Sequence, residues 1–352
     1  MLSAFTLMSV GMVVMYGIGI SQTDGNLFLF QKYLVAAGIG AALLIALGFF
    51  DYRQLRGLAF PAYGFGAALL LGVLFFGHTV RGTRGWYVLG GLSFQPVEIA
   101  KVCLVVFLAA YLSRFVHRTL PWHVILGSFL ATLAYAGLVF FQPDFGSGMV
   151  MFAIWGAFLL FAGIGWKPLT VVTVTSLIVG AFLWTSVLQP FQRDRLLAFL
   201  NPTLDEQGAG YNVTQAQIAI GSGGLFGKGI GEGSQARLRF LPEAATDFTI
   251  AVVGEELGFI GMIFVFGLLA LLLYRIYAAG RDAEDDFATL LALGIGALFL
   301  IHITINAGMN MGVMPVTGIP FPFLSAASSY LLAASVALGI MESIAVRRRS
   351  AR

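Results

Sequence analysis

Charge is what this chain has least of. Asp, Glu, Lys and Arg make up 11% of its 352 residues against 59% hydrophobic, and the mean hydropathy is +0.89. Soluble domains carry about 25% charged residues, so the balance excludes one and places the chain among polytopic membrane proteins. Cysteine is almost absent too. Cys103, the single one, excludes a disulfide within the chain and any cysteine-built metal site, and its apolar neighbours make it a packing residue. Histidines 78, 117, 123 and 302 show no ligand spacing and no His-Glu-x-x-His run occurs, so the sequence offers no dedicated metal cage. A divalent cation, Mg or Mn, bridging a substrate phosphate and a carboxylate needs few protein ligands and is compatible with this chain. The net charge of +3 is spread along loops, which gives no surface for nucleic acid; the one dense cluster, Arg347-Arg348-Arg349, reads as a cytoplasmic anchor beside anionic lipid. Basic residues are also missing ahead of the first apolar stretch, so that stretch reads as a retained helix rather than a cleaved signal.

What is present is long apolar windows. Ten spans of roughly 20 residues can be laid out, at 2–20, 34–50, 58–77, 97–113, 123–141, 147–165, 169–187, 248–273, 287–307 and 324–345. The expected fold is all-α: a single integral membrane domain over 1–352 with a large extracellular loop, 188–247, between helices 7 and 8. An even count puts both termini on one side. That side holds Arg53, Arg56, Arg114, Arg118, Lys167, Arg275, Arg281 and the C-terminal arginines, whereas the short opposite loops hold only Lys32, Arg81 and Arg84. The bias puts the termini in the cytoplasm and the long loop outside. Within that loop Phe191–Leu200 and Val213–Ile220 mix polar and apolar residues as interfacial helices do. The run from Gly221 to Gly233 resembles a phosphate loop only superficially. Ser222 stands where a Walker motif needs glycine and Gly229 where it needs Ser or Thr, so the glycines read as backbone that bends tightly or approaches another surface closely. No internal or inverted repeat is visible.

The remaining ionisable groups gather on the outer side of this topology: Arg84, Glu98, Lys101, Asp144, Arg193, Arg195 and Asp247. Acids and bases at a bilayer boundary are expensive enough to mark function. Glu98 and Lys101 are three apart at a helix start, so they share a face and can pair, either to hold helices together or to tune a nearby site. Asp144, in Gln-Pro-Asp-Phe-Gly-Ser-Gly, either caps a helix near Ser147 or contacts substrate. Asp247 enters a hydrophobic helix from Leu-Pro-Glu-Ala-Ala-Thr-Asp-Phe and admits the same two readings, cap or reacting carboxylate. Glu255 and Glu256 lie two turns further on, where one needs a basic or polar neighbour in the bundle. Trp86, Trp166 and Trp184 fall near expected interfaces, where aromatic belts are ordinary.

Several strings together resemble the shape, elongation, division and sporulation (SEDS) family of peptidoglycan glycosyltransferases. They are Arg-Gly-Thr-Arg-Gly-Trp (81–86), Gln-Pro-Val-Glu-Ile-Ala-Lys (95–101), Gln-Pro-Asp-Phe-Gly-Ser-Gly (142–148), Asn201-Pro202, Gly210-Tyr211, Gln215 to Gly229, 241–248, Gly-Glu-Glu-Leu-Gly-Phe (254–259) and Asn306 to Pro322. The short tails are similar to the elongation branch rather than the division branch. One departure is visible. Where the family reads Ser-Tyr-Gly-Gly-Ser, this chain reads Ser325-Ala326-Ala327-Ser328-Ser329, which puts a packing or substrate contact in question.

The resemblance implies polymerisation of lipid II at the outer membrane face, with undecaprenyl pyrophosphate as the leaving group and inversion at the donor sugar. It also implies a class B penicillin-binding protein and other elongation-complex proteins as partners. On that reading Asp247 is the base for the acceptor hydroxyl, and Arg84, Lys101, Arg193 and Arg195 are the cations for the pyrophosphate. Glu98 and Asp144 are supporting or substrate-binding residues. Two other classes compete: a flippase moving the same lipid, and a scaffold that only docks the penicillin-binding protein. The clustering of charge at one face rather than through the midplane speaks against a flippase, and a scaffold has little use for Arg84, Asp144 and Asp247 together.

Overall fold

The computed structural model describes residues 1–21, 27–80, 82–89, 92–117, 119–186, 199, 208–238 and 240–347. Arg193, Arg195, Asn201-Pro202 and nearly all of Phe191–Leu200 lie outside the described residues.

Each apolar window of the sequence becomes a helix. The order is α1 Leu2–Ser21, α2 Phe28–Phe49 and α3 Arg53–Phe76, then strands β1 His78–Val80, β2 Thr83–Leu89 and β3 Leu92–Phe94. Next come α4 Pro96–Leu112, α5 Trp122–Phe140, α6 Phe145–Phe161 and α7 Trp166–Ser186. The chain continues with α8 Ala209–Ser222, the short α9 Ser234–Arg237, α10 Thr249–Arg281, α11 Asp286–Asn310 and α12 Ser328–Arg347. Seven of these, α1, α2, α3, α5, α10, α11 and α12, are long and apolar enough to cross a membrane. Helices α4, α6 and α7 fall on the other three expected spans. Helix α8 covers the Val213–Ile220 segment of the long loop.

The expectation of an all-α chain needs correction at 78–94. These residues form a three-stranded antiparallel sheet, with His78 opposite Trp86, Val80 opposite Thr83, and Tyr87, Val88 and Leu89 opposite Phe94, Ser93 and Leu92. The physical reason is local: Thr-Arg-Gly-Trp-Tyr-Val-Leu is rich in β-branched and aromatic residues, and Gly82 and the Gly90-Gly91 pair flank it as hairpin breakers do. The Tyr87 hydroxyl fastens the sheet to α3 by donating to the Leu69 carbonyl at 3.1 Å, and burial pushes its pKa up, so it stays a donor.

Helix α4 is the centre of the bundle. Every residue from Pro96 to Leu112 except Ile99 and Tyr111 is buried, as suits a helix apolar on all faces, and α3, α5, α6, α11 and α12 pack around it. Cys103 is one of these packing residues. Helix α2 packs on α12, and α10 on α11 and α8.

Helix α10 is broken at Gly258, where φ 67° and ψ −166° fall in a region that only glycine occupies comfortably. The glycine run wedges into the break. Lys228 and Gly229 amides donate to the Glu255 and Glu256 carbonyls at 2.9 and 3.1 Å, and Phe259 and Ile260 amides donate to Gly224 and Leu225 at 2.9 and 3.1 Å. A Cβ on Gly258 would strike the Gly227 nitrogen and stand 2.7 Å from the Leu225 carbonyl oxygen. The close approach expected of those glycines is therefore met. Glu255, fully buried, is paired with Lys228 at 2.8 Å and accepts from Ser234 and Gln235, which satisfies the need for a basic neighbour. Gly258→Ala is expected to cost at least about 1–3 kcal/mol from backbone strain alone, read as a drop in the thermal midpoint of the purified protein. An unchanged midpoint would show that the glycine run is not wedged against α10.

Candidate active site

Helices α2, α4, α6, α10 and α12 all begin around one cleft of about 360 Å³. Its walls come from the first turn of α2 (Leu29, Lys32), the hairpin (Val80, Thr83, Trp86, Ser93), Gln95 ahead of α4, the start of α6 (Pro143 to Gly146, Met149), Thr246 and Asp247 ahead of α10, the 315–320 loop, and Ala326 to Ser328 at the start of α12. A helix start presents unpaired N–H groups and the positive end of its dipole. A cleft ringed by several of them suits an anionic ligand.

Asp247 stands in this cleft. It is not the cap residue of α10, which is Phe248, with no side-chain cap bond. The loop that carries it is wound tightly on Glu243, whose carbonyl accepts from the amides of Thr246, Asp247 and Phe248 at 3.0 to 3.2 Å. Ser325 then clamps the loop from outside: its hydroxyl donates to the Thr246 carbonyl at 2.6 Å and accepts from the Phe321 amide at 2.8 Å, while the Ala326 amide donates to Ala245 at 2.7 Å. Opposite the carboxylate lies Gly318, with φ 72°. A Cβ there would stand 3.6 Å from Asp247 Oδ2, so glycine keeps that wall open.

Asp144 fills the first of its two expected roles, the cap, and lines the cleft. Oδ1 caps α6 by accepting from the Ser147 amide at 3.0 Å, and Oδ2 faces Gln95 Nε2 at 3.4 Å in the wall of the cleft. Glu98 and Lys101 pair as expected, at 2.8 Å, but they sit inside the bundle at 3% and 0% exposure and do not line the cleft. Arg84 does not line it either. Its Nε and Nη2 donate to the carbonyls of Gly77 and Phe75 at 3.1 and 3.0 Å, closing the C-terminal end of α3.

Sequence reasoning missed several residues. Lys32 lines the cleft and donates to Ser93 Oγ at 3.2 Å; it had counted only as a loop cation. Trp86, set aside as belt, is part of the wall. The Thr317 and Ser328 hydroxyls, both in the wall, are buried with no partner among the described residues. The departure at 326–328 therefore falls on the cleft itself, while Ser325 keeps its place as the clamp. Among the described residues no group of three His, Cys, Asp or Glu side chains is placed to hold a metal ion.

Comparison with known proteins gives the family. The model of the FtsW, RodA and SpoVE family, described as cell cycle protein, matches residues 1–350. The peptidoglycan glycosyltransferase MrdB of Escherichia coli K12 is 33% identical over 338 residues, covering 94% of this chain and 89% of its own length. The probable peptidoglycan glycosyltransferase FtsW of Coxiella burnetii is 39% identical over 275 residues, 76% of this chain and 73% of its own. Among solved structures, RodA, the rod shape determining protein of Thermus thermophilus, superposes with a TM-score of 0.70 at 29% identity, covering 99% of this chain and 97% of that one. A chain from a peptidoglycan synthase complex that coordinates polymerization and crosslinking gives 0.81 at 30% identity, covering 99% and 98%. The chain is a multi-pass membrane protein and belongs to the FtsW/RodA/SpoVE family, the SEDS proteins, on its RodA-like side.

Proposed function

We propose that this protein is a peptidoglycan glycosyltransferase that polymerises lipid II during cell elongation, with Asp247 as its base. The observation that carries the proposal is the position of Asp247: a carboxylate on a clamped loop, in a cleft that also holds Lys32 and is ringed by helix starts. The 4-hydroxyl of an acceptor sugar attacks the anomeric carbon of the donor, and its proton passes to Asp247. The carbon–oxygen bond to the lipid pyrophosphate breaks and the leaving group takes the electron pair. One displacement at an α-linked donor gives the β-1,4 product with no covalent enzyme intermediate.

Charge develops on the pyrophosphate oxygens, so the groups facing them matter most. Lys32 is the cation within the described cleft, and the N–H groups at the starts of α4, α6 and α12 add partial positive charge. Arg193 and Arg195 are further candidates for those oxygens. Lys101 and Glu98 act from behind, by holding α4 and its neighbours. The Thr317 and Ser328 hydroxyls are free to meet polar groups of the substrate. A divalent cation carried in by the pyrophosphate would share Asp144 Oδ2, because such ions need only one or two carboxylates beside phosphate oxygens; it would supply charge neutralisation of the leaving group.

Our reading takes all ten apolar helices as crossings, with both termini in the cytoplasm and the cleft at the outer leaflet, where the even-numbered spans begin. A class B penicillin-binding protein, together with other elongation-complex proteins, joins the chain there and crosslinks the new strand. Glycan synthesis from purified lipid II by the complex tests the activity; no strands from an intact complex would refute it. Within that assay Lys32→Met is expected to lower kcat/KM about 10–100-fold, the worth of one hydrogen bond to a charged group, with Lys32→Arg retaining most of the rate. A wild-type rate in Lys32→Met would remove it from the leaving-group site.

A further inference from the structure

On α11 three polar side chains, His302, Asn306 and Asn310, follow at intervals of four residues and so lie along one edge of the helix. All three are fully buried. In a bundle this apolar a buried polar group is costly without partners, and the partners here follow one another along that edge, with only Asn310 Oδ1 of the three side chains left without one among the described residues. Lys101 Nζ lies 3.2 Å from His302 Nε2. An ammonium has only protons to offer, so the ring is neutral, Nε2 accepts, and Nδ1–H donates to the Pro320 carbonyl at 3.4 Å. The ring itself stacks on Tyr330, with centroids 4.5 Å apart. One turn further on, Asn306 Nδ2 donates to the Ile319 carbonyl at 2.7 Å and to the Asp247 carbonyl at 2.9 Å. Asn310 Nδ2 donates to the same Asp247 carbonyl at 3.1 Å and to the Asn306 carbonyl at 2.9 Å.

The Asp247 carbonyl is the point of the arrangement. The Ala251 amide, four residues on, goes to Phe248 instead, as does that of Val252. Two side-chain amides from a different helix donate to it. Asn306 moreover grips the two sides of the cleft together: Asp247 on one, and Ile319, next to the Gly318 that faces the carboxylate, on the other.

We propose that His302, Asn306 and Asn310 are the positioning element of the active site. They form a buried ladder that registers Asp247 against the 315–320 wall, with the Glu98–Lys101 pair as its fixed foot. None of the three lines the cleft, so none is a catalytic residue; they act through the carbonyls of Asp247, Ile319 and Pro320 that they hold. The inference rests on Asp247 being the base. A general base works only within hydrogen-bond reach of the proton it takes, and a displacement of about 1 Å can cost about 100-fold in rate. A loop carbonyl doubly held by a packed helix does not drift that far.

The test is glycan synthesis at varied lipid II by the purified complex with its penicillin-binding protein. Asn306→Leu removes both donors at similar volume. It is expected to lower kcat by about 100-fold while KM stays within about twofold. Asn310→Leu removes one of two donors to Asp247 and should lower kcat by about tenfold, also at constant KM and with an unchanged thermal midpoint. Because the residues act as a unit, the double variant should lose no more than Asn306→Leu alone. Should Asn306→Leu fail to fold, Asn310→Leu carries the test, since it leaves the Asn306 bonds in place. Wild-type kcat in Asn310→Leu would overturn the proposal, and so would a fall in kcat tracked by KM and thermal midpoint, which would mark a merely structural ladder. The base reading fails differently: Asp247→Asn would then make strands. If wild type polymerises, Asp247→Asn does not, and the asparagine variants run at full speed, only the ladder is refuted.

Discussion

Asp247→Asn should abolish glycan synthesis while leaving the protein folded and able to bind lipid II. The substitution keeps the volume of the side chain and all the backbone contacts of the loop: the Glu243 turn, the Ser325 clamp and the two asparagine donors. On the proposed mechanism, what it removes is the acceptor for the hydroxyl proton. General base catalysis contributes about 10²–10⁴-fold, so kcat should fall by that factor with KM close to wild type. Asp247→Glu restores a carboxylate but pushes it out by one methylene, toward the wall at Gly318, and should recover only part of the rate. A kcat in Asp247→Asn above about a tenth of wild type, outside the span expected of a lost base, would take the proton-accepting role away from this residue and leave the fold intact.

The second large effect lies inside the bundle. Lys101→Met should destabilise the protein by about 3–5 kcal/mol, because it leaves Glu98 buried without its counter-charge. Lys101 is fully buried in the helix that the other helices surround, and its three protons are directed at the Glu98 carboxylate, 2.8 Å away, and at His302. Nothing else charged contacts Glu98 among the described residues at ion-pair distance. Methionine fills the space of the lysine stem, so packing is nearly conserved, and the loss isolates the charge. The double variant Glu98→Gln/Lys101→Met removes both charges and should recover most of the thermal midpoint, as paired buried ions do when replaced together. If the midpoint recovers and glycan synthesis does not, the pair also orients the cleft through His302. If neither recovers, charge balance is not what holds the pair in place.

The crossing helices were legible because a bilayer imposes about 20 consecutive apolar residues, a signal strong enough to survive without any tertiary context. The Glu98–Lys101 pair was legible from its spacing of three. The Asp144 cap showed in the order Asp-Phe-Gly-Ser. The close approach of the Gly221–Gly233 run showed in its composition, though its partner, the broken helix at Gly258, did not. The hairpin at 78–94 went unread because strands of three to seven residues leave a short signal, and here it lies between two apolar windows. Lys32 was hidden by its position at the head of α2, where hydropathy sees a flanking cation and only the fold turns it into the cleft. Arg84 was misplaced for the reverse reason: its residue type suits a phosphate, but the hairpin turns it back onto the carbonyls of α3. His302, Asn306 and Asn310 have every partner except one another on distant segments, and no local pattern announces such contacts.

The retained and altered parts of the 325–329 segment also divide in space. The Ser325 side chain makes bonds that clamp the acidic loop, Ala326 adds only its backbone amide to that clamp, and Ala326, Ala327 and Ser328 line the cleft. The chain keeps the residue whose side chain clamps the Asp247 loop and varies those that line the cleft.

One measurement bears most directly on the account. Lipid II is placed only in the leaflet facing the cleft of vesicles that carry the wild-type protein with the class B penicillin-binding protein proposed as its partner, and both glycan strands and lipid II in the opposite leaflet are followed. The account predicts strands that grow without any lipid II crossing the bilayer. Lipid II arriving in the opposite leaflet with no strands formed would contradict it and establish a flippase.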